Sequence, residues 1–318
     1  MISRTTLLLL LALSLTAAAR AQSRFQWAKN LLHSERDTAY IAKPDGQWTF
    51  KVRTNTSGSH LGLHGKQDGT RYSAFLDSQL KTTLSLGASY RGISAALALN
   101  PAKIFGKYSD YEINLNAYSN RYGLDVIYAR VKSYHGNFKY GDETINIESG
   151  QVSQKMLNIS GYYAFNYRRF SYPAAFSQSQ IQLQSCGSWL IGATGMFGSF
   201  KHDDEAAFSA GKLQMRQFAI GGGYAYNWVR DKWLLHGSLI PQAVILANNW
   251  NNVGDEREKA VFRFPNMIFA ARLGAVRSWN NKFAGITAVI NHNSAGWFSK
   301  SHIANMKWRA RIFFGLRI

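Results

Sequence analysis

His236-Gly237-Ser238 and His292-Asn293-Ser294 each set a histidine and a serine two positions apart. In an extended chain residues i and i+2 share a face, so each imidazole lies beside its hydroxyl. A histidine within hydrogen-bond reach can take the serine proton and make the oxygen a nucleophile for an ester or other acyl carbon. Asn291 or Asn293 is placed to orient the imidazole. The opposing reading is plain. With eight histidines and many serines one such pair is expected by chance, and residues 292–294 lie at a strand–loop junction where polar side chains need no special cause.

Other chemistry is weaker. His60 and His64 lie four apart among glycines, near Asp68, which is neither a helical His-x-x-x-His nor a tetrahedral ligand set. His202-Asp203-Asp204-Glu205 reads as a solvated loop tip or as a holder for a divalent cation bridging lipopolysaccharide. Gly221-Gly222-Gly223, beside Tyr224, Tyr226 and Trp228, sits in a strand pattern and marks a bend, or close packing against an inward plug, in place of a phosphate loop. No metal site and no cofactor are expected. Aromatic and basic residues are compatible with nucleic-acid stacking, but export argues against that partner.

The elements that must position these groups are strands. Near the carboxyl end Ala304, Met306, Trp308, Ala310, Ile312, Phe314, Leu316 and Ile318 alternate with Asn305, Lys307, Arg309, Arg311, Phe313, Gly315 and Arg317. The run exceeds the roughly 9–11 residues a tilted strand needs to cross a bilayer. Strands survive in lipid only when closed, because every backbone group needs a partner. A charged side chain on the lipid face near the midplane costs about 2–4 kcal/mol, so Lys307, Arg309, Arg311 and Arg317 are assigned to the lumen. They form an anion-attracting wall there, or a salt-bridge network with acids such as Glu112 or Asp125.

Similar runs begin near Trp48 and recur to the end, with no helix-period segment among them. The expected fold is a transmembrane antiparallel β-barrel of about 12 strands (10–14), with the even number single-chain barrels show. Short links at Arg91-Gly92, residues 120–122, residues 229–232 and Asn280-Asn281 alternate with long links at 54–80, 100–110, 135–155, 201–213, 246–264 and 294–303. Short inner turns and longer outer loops are the barrel pattern.

Residues 1–21 read as a cleaved signal peptide, with Arg4, an apolar run from Leu7 to Ala18 and Ala19-Arg20-Ala21 as cleavage signal. Residues 22–45 read as a periplasmic amino-terminal segment and 46–318 as the barrel. Aromatic residues make up 14% of the chain and a single cysteine, Cys186, excludes an intrachain disulfide. The formal net charge of +19 favours anionic solutes in the lumen, anionic lipid head groups at the rims, or a merely solvated basic surface.

One link breaks the alternation of lengths. Residues 167–186, where a short turn is due, contain Arg168-Arg169-Phe170-Ser171-Tyr172-Pro173-Ala174-Ala175-Phe176. Pro173 cannot donate to a ladder. The segment is expected to project into the periplasm, to fold inward as a plug, or to add two strands and make fourteen. Its Phe-Ser-Tyr-Pro-Ala-Ala-Phe-Ser-Gln-Ser run at 170–179, with Asp37-Thr38-Ala39-Tyr40-Ile41, Tyr90-Arg91-Gly92 and Gly187-Ser188-Trp189, resembles a family of outer-membrane proteins from Bacteroidetes-type bacteria labelled a domain of unknown function. The resemblance covers nearly the whole mature chain. It implies an exported barrel and brings no activity or catalytic residues. One departure is Ile318, where many such barrels end in an aromatic; Phe313 and Phe314 are nearby.

The His-x-Ser pairs also resemble those of outer-membrane phospholipases, in which an asparagine orients the histidine. The expected role is a porin-like narrow channel or cell-envelope protein of a Gram-negative outer membrane, with a basic, anion-favouring lumen. The alternatives are a lipid hydrolase using His236 and Ser238 or His292 and Ser294, and an adhesive or structural barrel acting through its loops. Expected partners are outer-membrane lipids and lipopolysaccharide, the barrel assembly machinery and small anionic solutes.

Overall fold

The computed structural model describes residues 35–44, 46, 48–67, 69–90, 93–99, 110–202, 211–253, 256–259, 266–296 and 301–318. Residues 1–21, expected to be a signal peptide, Asp68 and the acidic cluster at 203–205 lie outside them. Twelve strands build the wall: β1 Trp48–Gln67, β2 Lys81–Tyr90, β3 Ile93–Leu99, β4 Tyr111–Tyr118, β5 Tyr122–Val131, β6 Val152–Ala164, β7 Cys186–His202, β8 Gly211–Arg230, β9 Trp233–Ala247, β10 Met267–Trp279, β11 Lys282–Ala295 and β12 Ser301–Arg317. Antiparallel ladders run continuously from β3 through β2, β1, β12, β11, β10, β9, β8, β7, β6 and β5 to β4. The pairing of β1 with β12, from Thr49↔Arg317 to Gly65↔Ser301, joins the two ends of the chain.

Alternation sorts the side chains. On β12 Lys307, Phe313, Gly315 and Arg317 are buried, while Ile312 and Phe314 are exposed. Outward large apolar residues such as Phe50, Leu86, Leu115, Ile191, Ile220, Leu239, Leu273 and Ile286 form a belt. At the end carrying the short turns an aromatic girdle runs through Trp48, Trp189, Trp228 and Trp233, as expected at a membrane interface.

Four expectations change. Residues 54–80 are not a loop: β1 continues to Gln67 and returns as a strand at Thr70–Asp77. Residues 135–155 likewise hold strands at His135–Tyr140 and Glu143–Ile147, the first pairing with Thr70–Asp77, and 246–264 holds a hairpin of Trp250–Val253 with Glu256–Lys259. These extensions carry polar residues and no lipid-facing alternation, so hydrophobic period does not reveal them. The fourth change is helix α1, Tyr172–Phe176. Ser171 caps its amino end, accepting from the Ala174 amide at 3.1 Å. Gln178 ends it in a left-handed conformation, φ 56°. The alternative of an added strand pair is thereby excluded.

Gly221-Gly222-Gly223 packs against the neighbouring strand and not the plug. A Cβ on Gly221 or Gly223 would strike the carbonyl oxygens of Pro241 and Leu239. Here the β8–β9 ladder breaks between Ile220↔Ala243 and Tyr224↔Leu239, beside Pro241, which has no donor to give. Elsewhere aromatic rings lie over glycines: Phe283 covers Gly315 and Tyr162 covers Gly123. Replacing Gly315 with Val should therefore lower stability by about 1–3 kcal/mol through overpacking. Gly222→Ala, whose Cβ would meet only the Leu190 carbonyl at 3.5 Å, should leave the denaturant midpoint in detergent nearly unchanged. Equal midpoints for the two variants would refute this packing.

Candidate functional site, the sealed lumen

Residues 167–186 fold back into the turn end of the barrel. Phe170, Tyr172, Ala175 and Phe176 are fully or almost fully buried, and Pro173 is buried with them. Arg168 and Arg169 stay outside, where they pair with Glu35 at 2.7 Å and Asp37 at 3.2 Å. The described part of the amino-terminal segment is tied to the same region, since Ile41–Ala42 pairs with Ile181–Gln182.

Polar contacts fix the plug at both ends. Asn227 Nδ2 donates to the Ser171 carbonyl at 2.8 Å and to Gln182 Oε1 at 3.0 Å. At the helix carboxyl end Lys51 Nζ donates to the Ser177 carbonyl at 2.8 Å and Gln178 Oε1 at 2.6 Å, and Arg317 donates to the Gln178 carbonyl at 3.1 Å. Orphan carbonyls and the negative end of a short helix favour cations there. The first and last strands thus hold the plug together.

Tyr172 occupies the middle. Its ring centroid lies 4.5 Å from that of Tyr162 and 4.8 Å from that of His236. Its hydroxyl shares a hydrogen bond of 2.6 Å with Ser238 Oγ. Burial raises the phenol above its ordinary pKa, so it remains a neutral donor and acceptor. Ser238 Oγ is also 3.2 Å from His236 Nε2, and His236 Nδ1 is 2.7 Å from Asn227 Oδ1. His236 lies beside Ser238 as the i, i+2 spacing predicts, but the residue that meets its other nitrogen is neither Asn291 nor Asn293. The group in that place is Asn227, set opposite His236 by the β8–β9 register. A cross-strand partner nine residues away leaves no local signal. The chain Asn227–His236–Ser238 has the connectivity of a hydrolase triad, but it faces the lumen beneath Phe170, Tyr172 and Phe176. At the other pair, Ser294 Oγ lies 2.8 Å from His302 Nε2, and the His292 ring tilts against Phe269 with centroids 6.1 Å apart. His60 is bonded to Asp77 and accepts from Trp308 at 3.2 Å. Among the described residues no group of three or more metal-ligating side chains converges.

Above the plug lies a small chamber of about 20 Å³, lined by Asn116, Tyr118, Asp125, Arg272, Asn291, Arg309 and Arg311 among others. That is room for one or two waters at roughly 10–15 Å³ each on this measure. Beyond it, towards the loop end, Met156, Met196, Met215, Tyr134 and Ile303 close the bore with a second apolar cluster. Lys307, Arg309, Arg311 and Arg317 all lie on the inner side of β12. Lys307 and Arg309 converge on Glu112 of β4 at 2.7 and 3.0 Å. Arg272 pairs with Asp125 across the bore and its guanidinium lies 5.6 Å from the Tyr172 ring. Arg311 donates to Asn55 Oδ1 at 2.8 Å. Arg53, inward on β1, repels Arg309 and Arg311 and has no acid partner among the described residues.

Breaking a buried pair from one side leaves an uncompensated charge, a loss of about 3–5 kcal/mol. Asp125→Asn should cost that much in detergent-micelle unfolding, and adding Arg272→Gln should recover part of it. A double variant no more stable than the single would show that the pair does not couple.

The structure is similar at low identity to solved barrels. One is the outer membrane protease OmpT from Escherichia coli, with TM-score 0.44 and 8% identity over 86% of this chain and 97% of that chain. Another is the translocator domain of the autotransporter NalP from Neisseria meningitidis, with TM-score 0.35 and 13% identity over 96% and 98%. A third is the outer membrane protein OprG from Pseudomonas aeruginosa, with TM-score 0.30 and 11% identity over 86% and 98%. No curated protein matches the chain. A family model does, across residues 35–317, and the chain belongs to that family, described as "Domain of unknown function (DUF4421)".

Proposed function

We propose that the protein is a gated, narrow anion pathway in the outer membrane of a Gram-negative bacterium, exported by its amino-terminal signal and closed in the state described above. The observation that carries this reading is the inward cluster of Arg53, Arg309 and Arg311, of which only Arg309 reaches an acid among the described residues. Like charges gathered in a low-dielectric bore are costly unless a counter-anion offsets them. Two seals would then regulate entry. The helical plug is held by side-chain hydrogen bonds, and the loop-end constriction is rich in methionine, whose unbranched thioether repacks easily.

The test is conductance of the refolded full-length chain in a planar bilayer under a salt gradient. The intact protein should be silent or open only briefly. Replacing residues 170–179 with a Gly-Ser linker should give frequent openings with an anion-selective reversal potential, and adding Arg309→Ser with Arg311→Ser should reduce that selectivity. Folded, plug-free barrels that stay silent, or that select cations, would sink the proposal.

A second reading rests on the Asn227–His236–Ser238 chain. If the plug withdraws, Ser238 becomes a histidine-activated nucleophile for acyl esters of lipid. A fluorophosphonate probe should then label the plug-free protein but not its Ser238→Ala variant. Absence of labelling in folded plug-free protein would leave the three residues as anchors for Tyr172.

A further inference from the structure

The four consecutive strands β5 to β8 contain one acid, Asp125, and it faces the lumen. Their outward faces are apolar from the girdle upward: Leu124 and Tyr128 on β5, Ile159 on β6, Ile191 and Phe197 on β7, Ile220 and Phe218 on β8. Towards the loop end each then changes to a cation. Arg130 follows Tyr128, Lys155 follows Leu157, Lys201 lies beyond Phe197, and Arg216 follows Phe218. Register sets these cations side by side, with Lys155 opposite Arg130 on one side and Ser199 on the other, and Arg216 opposite Phe197. Cations on the lipid face are costly at the midplane but tolerated at the interface, so this row marks the polar boundary of the membrane.

A groove of about 250 Å³ opens outward at that boundary. Its polar edge is Lys155, Ser199 and Arg216, and its apolar floor is Tyr128, Leu157 and Phe197. Arg130, Lys155 and Arg216 have no ion-pair partner among the described residues. We infer that this groove binds a phosphorylated lipid of the outer leaflet, its phosphate between Lys155 and Arg216 and an acyl chain along Leu157 and Phe197. Charge and amphipathic order both select that occupant: a free anion would leave the apolar floor empty, and a neutral lipid would leave the cations unmatched.

The experiment is native mass spectrometry of the full chain in detergent micelles, titrated with hexa-acyl lipid A bearing both phosphates. One lipid should be retained per barrel. The variant Arg130→Gln/Lys155→Gln/Arg216→Gln should retain it roughly tenfold more weakly or worse, given what each surface cation contributes toward an anionic lipid, with an unchanged thermal midpoint because all three side chains are exposed. Inorganic phosphate should not displace the lipid. Equal retention by the variant, or displacement of the lipid by inorganic phosphate, would overturn the assignment.

Discussion

In the hydrocarbon of a membrane an unpaired backbone group costs several kcal/mol, and a sheet edge has a row of them. The pairing of β1 with β12 removes the edges that would otherwise belong to the first and last strands. The rest of the arrangement follows from that continuous, curled sheet. A strand held in this wall must turn every second side chain to lipid, which fixes the outward apolar belt, and the remainder to the bore. The bore therefore receives whatever polar and charged residues the strands carry, and these must find partners across it. Arg272 reaches Asp125, and Lys307 with Arg309 reaches Glu112, each pair joining strands on different parts of the wall.

The interior is filled from both ends in different ways. At the loop end side chains of the wall meet one another, Tyr134 bonding Gln154 at 2.6 Å among methionines. At the turn end an inserted segment does the filling. Burying Phe170, Tyr172 and Phe176 removes three aromatic rings from water, each worth on the order of 1.5–3 kcal/mol, and they stack around His236 and beneath Arg272. The serine and histidine of β9 thus act here as an anchor for a tyrosine hydroxyl.

Much of the wall was legible because a lipid-facing strand has to declare itself by period two. The alternation from Ala304 to Ile318 gave the inner and outer faces of β12, and Pro173 with an overlong turn flagged the inserted segment. What escaped lies where period two stops being enforced. The extensions at Thr70–Asp77 and His135–Tyr140 stand clear of the apolar belt and carry too short an apolar run, chiefly Ala74, Leu76 and Phe138, to declare a strand by period alone. Asn227 escaped for another reason: its meeting with His236 depends on the register across a two-residue turn, which a list of residues does not contain. The His-x-Ser spacing was legible, but its lid was not, since Tyr172 reaches Ser238 from 66 positions away.

The plug belongs to a turn between β6 and β7, two strands that are themselves hydrogen-bonded neighbours from Val152↔His202 to Ala164↔Leu190. Both of its stems are therefore anchored at one point of the rim. The segment is held by side-chain contacts, a few bonds to helix-end carbonyls and the short ladder of Ile181–Gln182 with Ile41–Ala42, and no wall ladder runs through it. The molecule accordingly has two separable ordering events, in which the wall sets the membrane boundary and closes the loop end of the bore while the inserted segment fills the turn end.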